Sequence, residues 1–142
     1  MRLCASATMR AMDVSRLASM PLFEGVSRSR LTELARSADE VDLPAGKALA
    51  SEGVFAYEFV IIEEGQAEVT QDGRHVRELG PGDFLGEIGL LESARRTATV
   101  TTTSTARVIV MSGPDFRAMV RETPAVAARI RDAIEQRLGH AG

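Results

Sequence analysis

The chain has 142 residues, which is enough for one domain with a single hydrophobic core. Hydrophobic residues make up 44% and charged residues 26%, a balance typical of folded globular proteins rather than disordered chains. The net charge of −3 gives no overall positive field that would attract nucleic acid, and the single cysteine excludes an intramolecular disulfide. No apolar run approaches the length of a membrane span, so we expect a cytoplasmic protein without membrane contact.

The N-terminal part predicts a tail followed by two short helices. Residues 1–11 carry no clear pattern and are expected to be disordered, ahead of one domain over residues 12–142. Asp13 is a candidate N-cap for a turn of helix ending near Met20, because its carboxylate can accept from free backbone N–H groups. Ser27 is a candidate N-cap for a second helix. The apolar face of that second helix comprises Leu31, Leu34, Ala35 and Ala38.

A different pattern runs from about residue 40 to residue 111, where short apolar runs alternate with turn signals. The turn signals are Pro44-Ala45-Gly46, Glu64-Gly65, Asp72-Gly73 and Gly80-Pro81-Gly82-Asp83. The sequence Gln71-Asp72-Gly73-Arg74 predicts a tight hairpin, because aspartate and glycine tolerate the positive φ that such a turn requires. Many short strands with closely spaced turns favour a β-sandwich or barrel.

Helix returns over about residues 113–139, in two segments. Ser112-Gly113-Pro114-Asp115 is a start signal that combines a cap, a proline in the first turn and an acidic residue. A second helix is predicted to begin at Thr123-Pro124, and it carries an apolar stripe expected to serve as core packing or as the seam of a homodimer. The stripe comprises Val126, Ile130, Ile134 and Leu138.

The run from Phe84 to Val100 contains the residues best suited to binding a ligand. It contains Gly86, which lets backbone approach a ligand, then the carboxylate of Glu87, and later the guanidinium of Arg96. Free helix N–H groups and a guanidinium bind a phosphate anion, and a carboxylate accepts a hydrogen bond from a ribose hydroxyl. This combination predicts a site for a small sugar phosphate.

In its setting between an Asp-Gly hairpin and a β-rich run, this segment resembles the phosphate-binding cassette of the cyclic nucleotide-binding domain family. Other matching pieces are Met20-Pro21-Leu22-Phe23, Leu43-Pro44-Ala45-Gly46, Val60-Ile61-Ile62-Glu63-Glu64-Gly65 and Leu79-Gly80-Pro81-Gly82-Asp83-Phe84. Their joint order and spacing extend the resemblance from Leu17 to Ile134, about four fifths of the chain.

The resemblance, which is to the sensor domains of catabolite activator-like regulators and of cyclic AMP-dependent kinase regulatory subunits, implies both fold and ligand. The fold is mainly β, a double-stranded β-helix or jelly-roll barrel with N-terminal helices and two C-terminal helices. The implied ligand is cyclic AMP, with cyclic GMP as the alternative, and no metal or other cofactor is implied.

The resemblance also implies roles for individual residues. Arg96 would pair with the exocyclic oxygens of the cyclic phosphate, and Glu87 would accept from the ribose 2′-OH. The remaining contacts would come from the backbone N–H groups of Ile88 and Gly89, the N–H and hydroxyl of Thr97, the backbone of Ala98, and close approach of the sugar at Gly86. This chain departs from the family pattern at Arg95, where many relatives have proline, and at Gly89, where many have alanine.

Three other functions are alternatives for this sequence: an enzyme, a DNA-binding regulator and a protein-interaction module. An enzyme of the cupin type would need several histidines as metal ligands, and only His75 lies in the barrel portion, so we expect no enzyme. A DNA-binding regulator would need two further helices, and the chain ends at Gly142, so we expect no direct nucleic acid binding. An ion pair between Arg96 and Glu87 in a barrel with an empty pocket would instead give a protein-interaction module.

The expected mechanism is that of a sensor. Nucleotide binding would order the segment Gly86–Thr99 and draw the C-terminal helix against the base, changing the apolar surface offered to an effector protein. The effector is unknown, and the chain could equally be the sensor fragment of a larger regulator.

Overall fold

The computed structural model describes residues 8–50, 58–85 and 98–140. Its strands are β1 (Thr8–Ala11), β2 (Ala38–Leu43), β3 (Ala48–Ala50), β4 (Glu58–Glu64), β5 (Ala67–Gln71), β6 (Arg74–Leu79), β7 (Phe84–Leu85), β8 (Thr99–Thr102) and β9 (Ala106–Ser112). Its helices are α1 (Val14–Ala18), α2 (Arg28–Arg36), α3 (Gly113–Glu122) and α4 (Pro124–His140), with a 3-10 turn at Pro21–Phe23.

The strands form two antiparallel sheets that pack face to face. One sheet has five strands in the order β1-β2-β9-β4-β7, and the other has four in the order β3-β8-β5-β6. Side chains from both sheets form an aliphatic interior, which includes Val60 and Val108 from the first sheet and Val69 and Val100 from the second. The predicted mainly β fold with helices at both ends is confirmed.

The helices cover the other face of the five-stranded sheet, where they build a second core. Phe59 on β4 stacks on Phe116 of α3 with ring centroids 4.4 Å apart, and Phe59 also meets Phe84 at 5.6 Å. Leu17 of α1 and Val126 of α4 belong to the same cluster. Strands β4 and β9 are therefore buried on both faces, which explains why their sequences are almost continuously apolar.

The turn and cap signals of the sequence have the predicted local structure. Asp72 and Gly73 both have positive φ, at 54° and 77°, as a two-residue hairpin requires. The side chains of Asp13, Ser27 and Ser112 each accept a backbone N–H bond at the start of a helix.

Two segments differ from the expectation. Residues 8–11, which we expected to belong to a disordered tail, form β1 and pair with Asp39–Asp42 of β2. A four-residue edge strand is held by backbone bonds that any sequence can make, so it left no side-chain pattern to detect. Ala38, assigned to the face of the second helix, is the first residue of β2, because α2 ends at Arg36. Its side chain still enters the helix-side core.

Over the three described ranges, no helix combines the length and apolar character needed to cross a membrane.

Candidate functional site

The structure describes the strands on both sides of the segment predicted to bind a ligand. Six of the seven predicted contact residues lie outside the described residues: Gly86, Glu87, Ile88, Gly89, Arg96 and Thr97. Ala98 is described, is partly buried, and packs against the aliphatic interior. The site can therefore be framed from the strands that enter and leave it.

The entering strand lies at the edge of the five-stranded sheet. In β7, Leu85 pairs with Val60 and Phe84 pairs with Ile61 of β4. Leu85 contributes to the aliphatic interior between the sheets, whereas Phe84 contributes to the helix-side core. Strand β7 thus lies at the boundary between the two cores.

The turn before β7 is held tightly against β4. The Gly82 N–H donates to the Ile62 carbonyl at 2.8 Å, and the Ile62 N–H donates to the Asp83 carbonyl at 2.8 Å. The Asp83 carboxylate accepts from the Gly80 N–H at 2.8 Å, which closes the turn on itself. These bonds fix the direction in which the chain enters the predicted ligand segment.

The leaving strand lies inside the four-stranded sheet. In β8, Val100 pairs with Val69 of β5 on one side and with Ala50 of β3 on the other. The described strands on the two sides of residues 86–97 are therefore an edge strand of one sheet and an inner strand of the other.

Thr102 fixes β8 in place, and sequence analysis did not identify it. This residue is 2% exposed, and its hydroxyl accepts from the Lys47 N–H and donates to the Pro44 carbonyl, both at 2.8 Å. Backbone bonds from Gly46 to Thr102 and from Thr102 to Lys47 reinforce the contact. The only hint in the sequence was a threonine in a β-branched run, which is indistinguishable from an ordinary strand residue.

The interior beside the predicted site is aliphatic. Within the described ranges, the cluster between the sheets consists of valine, leucine, isoleucine and alanine side chains. Electrostatic contacts strengthen in surroundings of low polarity, so a guanidinium and a phosphate at the rim of this interior would interact more strongly than in water.

The C-terminal helix, expected to cover a bound base, packs on the helix-side core. Val126 and Ile130 are 0% and 1% exposed, so this part of the predicted stripe is core packing. The side chains of Ile134 and Leu138 lie outside what the structure describes. Arg129 on the same helix donates to the Leu22 carbonyl at 2.9 Å, a contact with no motif in the sequence.

The titratable groups near the sandwich do not form a metal site in the described part of the chain. His75 is exposed on edge strand β6, and its Nδ1 lies 2.8 Å from Oε2 of Glu68. Across residues 8–50, 58–85 and 98–140, no group of three His, Cys, Asp or Glu side chains is placed to hold a metal ion. The carboxyl with a strongly raised pKa, Glu63, contacts Arg16 of α1 and lies away from the interior.

Comparison with known proteins places the same region in a family. The sequence profile of the cyclic nucleotide-binding domain matches residues 40–123. The chain is 37% identical over 116 residues to a cAMP-dependent protein kinase regulatory subunit of Mycosarcoma maydis, covering 75% of this chain and 22% of that protein. It is 29% identical over 123 residues to a cyclic nucleotide-gated potassium channel of Rhizobium etli, covering 87% of this chain and 34% of the channel.

Among solved structures, a cAMP-binding acyltransferase from Mycobacterium smegmatis superposes with a TM-score of 0.76 at 29% identity. The match covers 89% of this chain and 41% of the acyltransferase. The chain therefore spans well under half the length of each of these three proteins.

Proposed function

This chain belongs to the cyclic nucleotide-binding domain family, and we propose that it is a regulatory sensor that binds cyclic AMP through residues 86–98. The observation that supports the proposal is that the strands flanking that segment, edge strand β7 and inner strand β8, both contribute side chains to the aliphatic interior. Cyclic GMP is the alternative ligand, since the hydroxyl of Thr97 suits either nucleotide.

In the proposed site, one positively charged side chain neutralises the single negative charge of the ligand. A cyclic monophosphate has a single negative charge, and the guanidinium of Arg96 would neutralise it with a two-pronged contact. Backbone N–H groups of Ile88 and Gly89 would donate to the same phosphate, and Glu87 would accept from the ribose 2′-OH. Gly86 would allow the sugar to approach, with Thr97 and Ala98 completing the contacts.

The proposed output passes through the helical layer. Arg129 of α4 is hydrogen-bonded to the 3-10 turn Pro21–Phe23, so a shift of α4 towards the base would be transmitted to the N-terminal helices. A nucleotide can shift α4 only by its difference in affinity between the two helix positions. We propose that an effector protein reads this change, and that α4 beyond the buried Ile130 is available for a homodimer contact.

A second candidate is the same fold with an empty pocket, acting as a protein-interaction module or as one part of a larger regulator. The three similar proteins favour the larger regulator, since they are a kinase regulatory subunit, a channel and an acyltransferase. In either case we propose a cytoplasmic domain that regulates without catalysing.

The test is thermal unfolding in the presence of added nucleotides. A ligand that binds only the native state raises the melting temperature once its concentration exceeds its Kd. We expect cyclic AMP to raise it more than 5′-AMP does, because 5′-AMP carries a second phosphate charge and no ring phosphodiester. An unchanged melting temperature at millimolar cyclic AMP and cyclic GMP would favour the empty-pocket module.

A further inference from the structure

A cluster of three charged residues joins α1 to the five-stranded sheet. It comprises Arg16 of α1, Glu40 of β2 and Glu63 of β4, and we call it the Arg16 cluster. The same guanidinium nitrogen of Arg16 lies 2.5 Å from Oε2 of Glu40 and 3.5 Å from Oε2 of Glu63. The two carboxyl groups therefore meet at a single cationic nitrogen.

Both carboxyl groups are largely removed from water. The side chain of Glu40 is 3% exposed and that of Glu63 is 13% exposed, whereas Arg16 is 40% exposed. Oε1 of Glu63 is buried and has no hydrogen-bond partner among the residues that the structure describes. A buried carboxylate oxygen without a donor is unfavourable, and a proton between the two carboxyl groups would satisfy it.

Among the described side chains, the other cation near Glu63 is Arg107, which binds elsewhere. Arg107 of β9 is directed to two other acids, with Nε 3.0 Å from Asp42 and Nη1 3.6 Å from Glu64. On β1, Arg10 lies opposite Glu40 in the strand register. Among the described side chains, Glu63 thus has one close cation, Arg16, whose nitrogen also binds Glu40.

We propose that Glu40 and Glu63 share one proton beneath Arg16, and that this arrangement is a pH-sensitive attachment of α1 to the sheet. Loss of the proton leaves Glu63 charged beside Glu40, with its buried Oε1 unpartnered among the described residues. Repulsion between the two carboxylates and the cost of burying the charge of Glu63 then weaken the contact between α1 and the sheet.

The direction of the pH effect follows from the pKa of Glu63. Burial, and then the hydrogen bond and negative charge of Glu40, raise this pKa from 4.5 to about 7, while Arg16 and Arg107 oppose the rise. Between these two values the folded protein holds a proton that the unfolded chain has released. The stabilising contribution is therefore present at low pH and is lost as pH rises through about 7.

The attachment concerns α1, which packs against α2 and precedes the 3-10 turn that Arg129 binds. A change of pH near neutrality would thus alter the mobility of the N-terminal helices. The inference does not depend on nucleotide binding and can be tested in its absence.

The experiment compares wild type with Glu63→Gln, which is isosteric with the protonated acid, and with Glu64→Gln as the matched control. Glu64 is the neighbouring residue, with a side chain 66% exposed. The readouts are the carbon NMR titration of the glutamate carboxyl groups and the exchange protection of α1 amides, corrected for intrinsic rates, from pH 5 to pH 8.5.

We expect one wild-type carboxyl resonance to titrate near pH 7 and to be absent from Glu63→Gln. Protection of α1 in wild type and in Glu64→Gln should fall with rising pH, by up to about tenfold per unit for one linked proton. In Glu63→Gln it should stay level. The inference is overturned if every glutamate titrates below pH 5 in wild type, or if Glu63→Gln keeps the wild-type pH dependence. The wild-type titration decides the matter if the variant does not fold.

Discussion

The guanidinium of Arg129 on α4 donates a hydrogen bond to the backbone carbonyl of Leu22, at a distance of 2.9 Å. The two residues are 107 positions apart in the sequence. Val126 and Ile130, on the same helix, are buried in the core to which Leu22 and Phe23 also belong. The N-terminal turn and the C-terminal helix therefore form one packed unit on the outer face of the five-stranded sheet.

Arg129→Met should weaken this unit. The substitution keeps an apolar stem but removes the donor, leaving a partly buried carbonyl without its charged partner, at a cost of about 1–2 kcal/mol. Urea denaturation gives the difference in unfolding free energy. Arg131→Met is the control, since Arg131 is an exposed arginine on the same helix. Equal stability of the two variants would show that the Leu22 contact contributes nothing.

Thr102→Val should destabilise the protein by about 1–3 kcal/mol, because the Lys47 N–H and the Pro44 carbonyl each lose a hydroxyl partner in a buried position. Valine preserves the shape and the β-branched character of the side chain. Thr101→Val on the same strand is the matched control, and it should change stability by less than about 0.5 kcal/mol. A loss of the same size in both variants would attribute the effect to the strand rather than to the hydroxyl.

Gly65→Ala should be the most damaging alanine substitution among the turn glycines that the structure describes. Gly65 has φ of +98°, and an added Cβ would lie 2.5 Å from the Thr105 carbonyl oxygen and 2.7 Å from Cα of Ala106. Backbone cannot move aside cheaply there, so we expect more than about 2 kcal/mol of destabilisation.

Gly25→Ala measures the cost of the positive φ without the steric clash expected at Gly65. Gly25 also has positive φ, at +79°, but an added Cβ would meet nothing within 4 Å. We expect a cost of about 1 kcal/mol from the left-handed conformation alone. The interpretation of Gly65 as a site of close approach is wrong if the melting temperatures of both variants decrease by the same amount.

Sequence patterns predicted the parts of the fold whose causes are local. The helix caps at Ser27 and Ser112 depend on one side chain and a nearby N–H group, and the Asp72-Gly73 turn depends on two residues that accept positive φ. Both kinds of signal occupy three or four consecutive positions. They could therefore be read without knowledge of the rest of the chain.

Contacts between distant residues could not be predicted in this way. Thr102 and Lys47 come together through the pairing of β3 with β8, and Arg16 reaches Glu40 only because α1 packs over the sheet. Their residue types are ordinary for a strand and for a surface helix. The predicted site differs again, because its residues were assigned by family resemblance, and Gly86 to Thr97 lie outside the described residues.

Glu87→Gln should weaken nucleotide binding less than loss of the phosphate contact does. Its proposed partner, the ribose 2′-OH, is neutral, so we expect a loss of about 1 kcal/mol, or roughly fivefold in Kd. Titration of cyclic AMP and of 2′-deoxy cyclic AMP into both proteins tests the assignment. The amide oxygen of the variant is a weaker acceptor, so the variant should distinguish the two ligands less than wild type does. A wild type that does not distinguish them would contradict the role of Glu87.

Isothermal titration of cyclic AMP and cyclic GMP into wild type, Arg96→Glu and Arg95→Glu tests the central claim most directly. Wild type and Arg95→Glu should bind cyclic AMP, since Arg95 is not among the predicted contact residues. Arg96→Glu should lose at least about 2–5 kcal/mol of binding free energy, some 30-fold or more in Kd. Binding that is unchanged in Arg96→Glu, or heat of binding from neither nucleotide in wild type, would contradict the account.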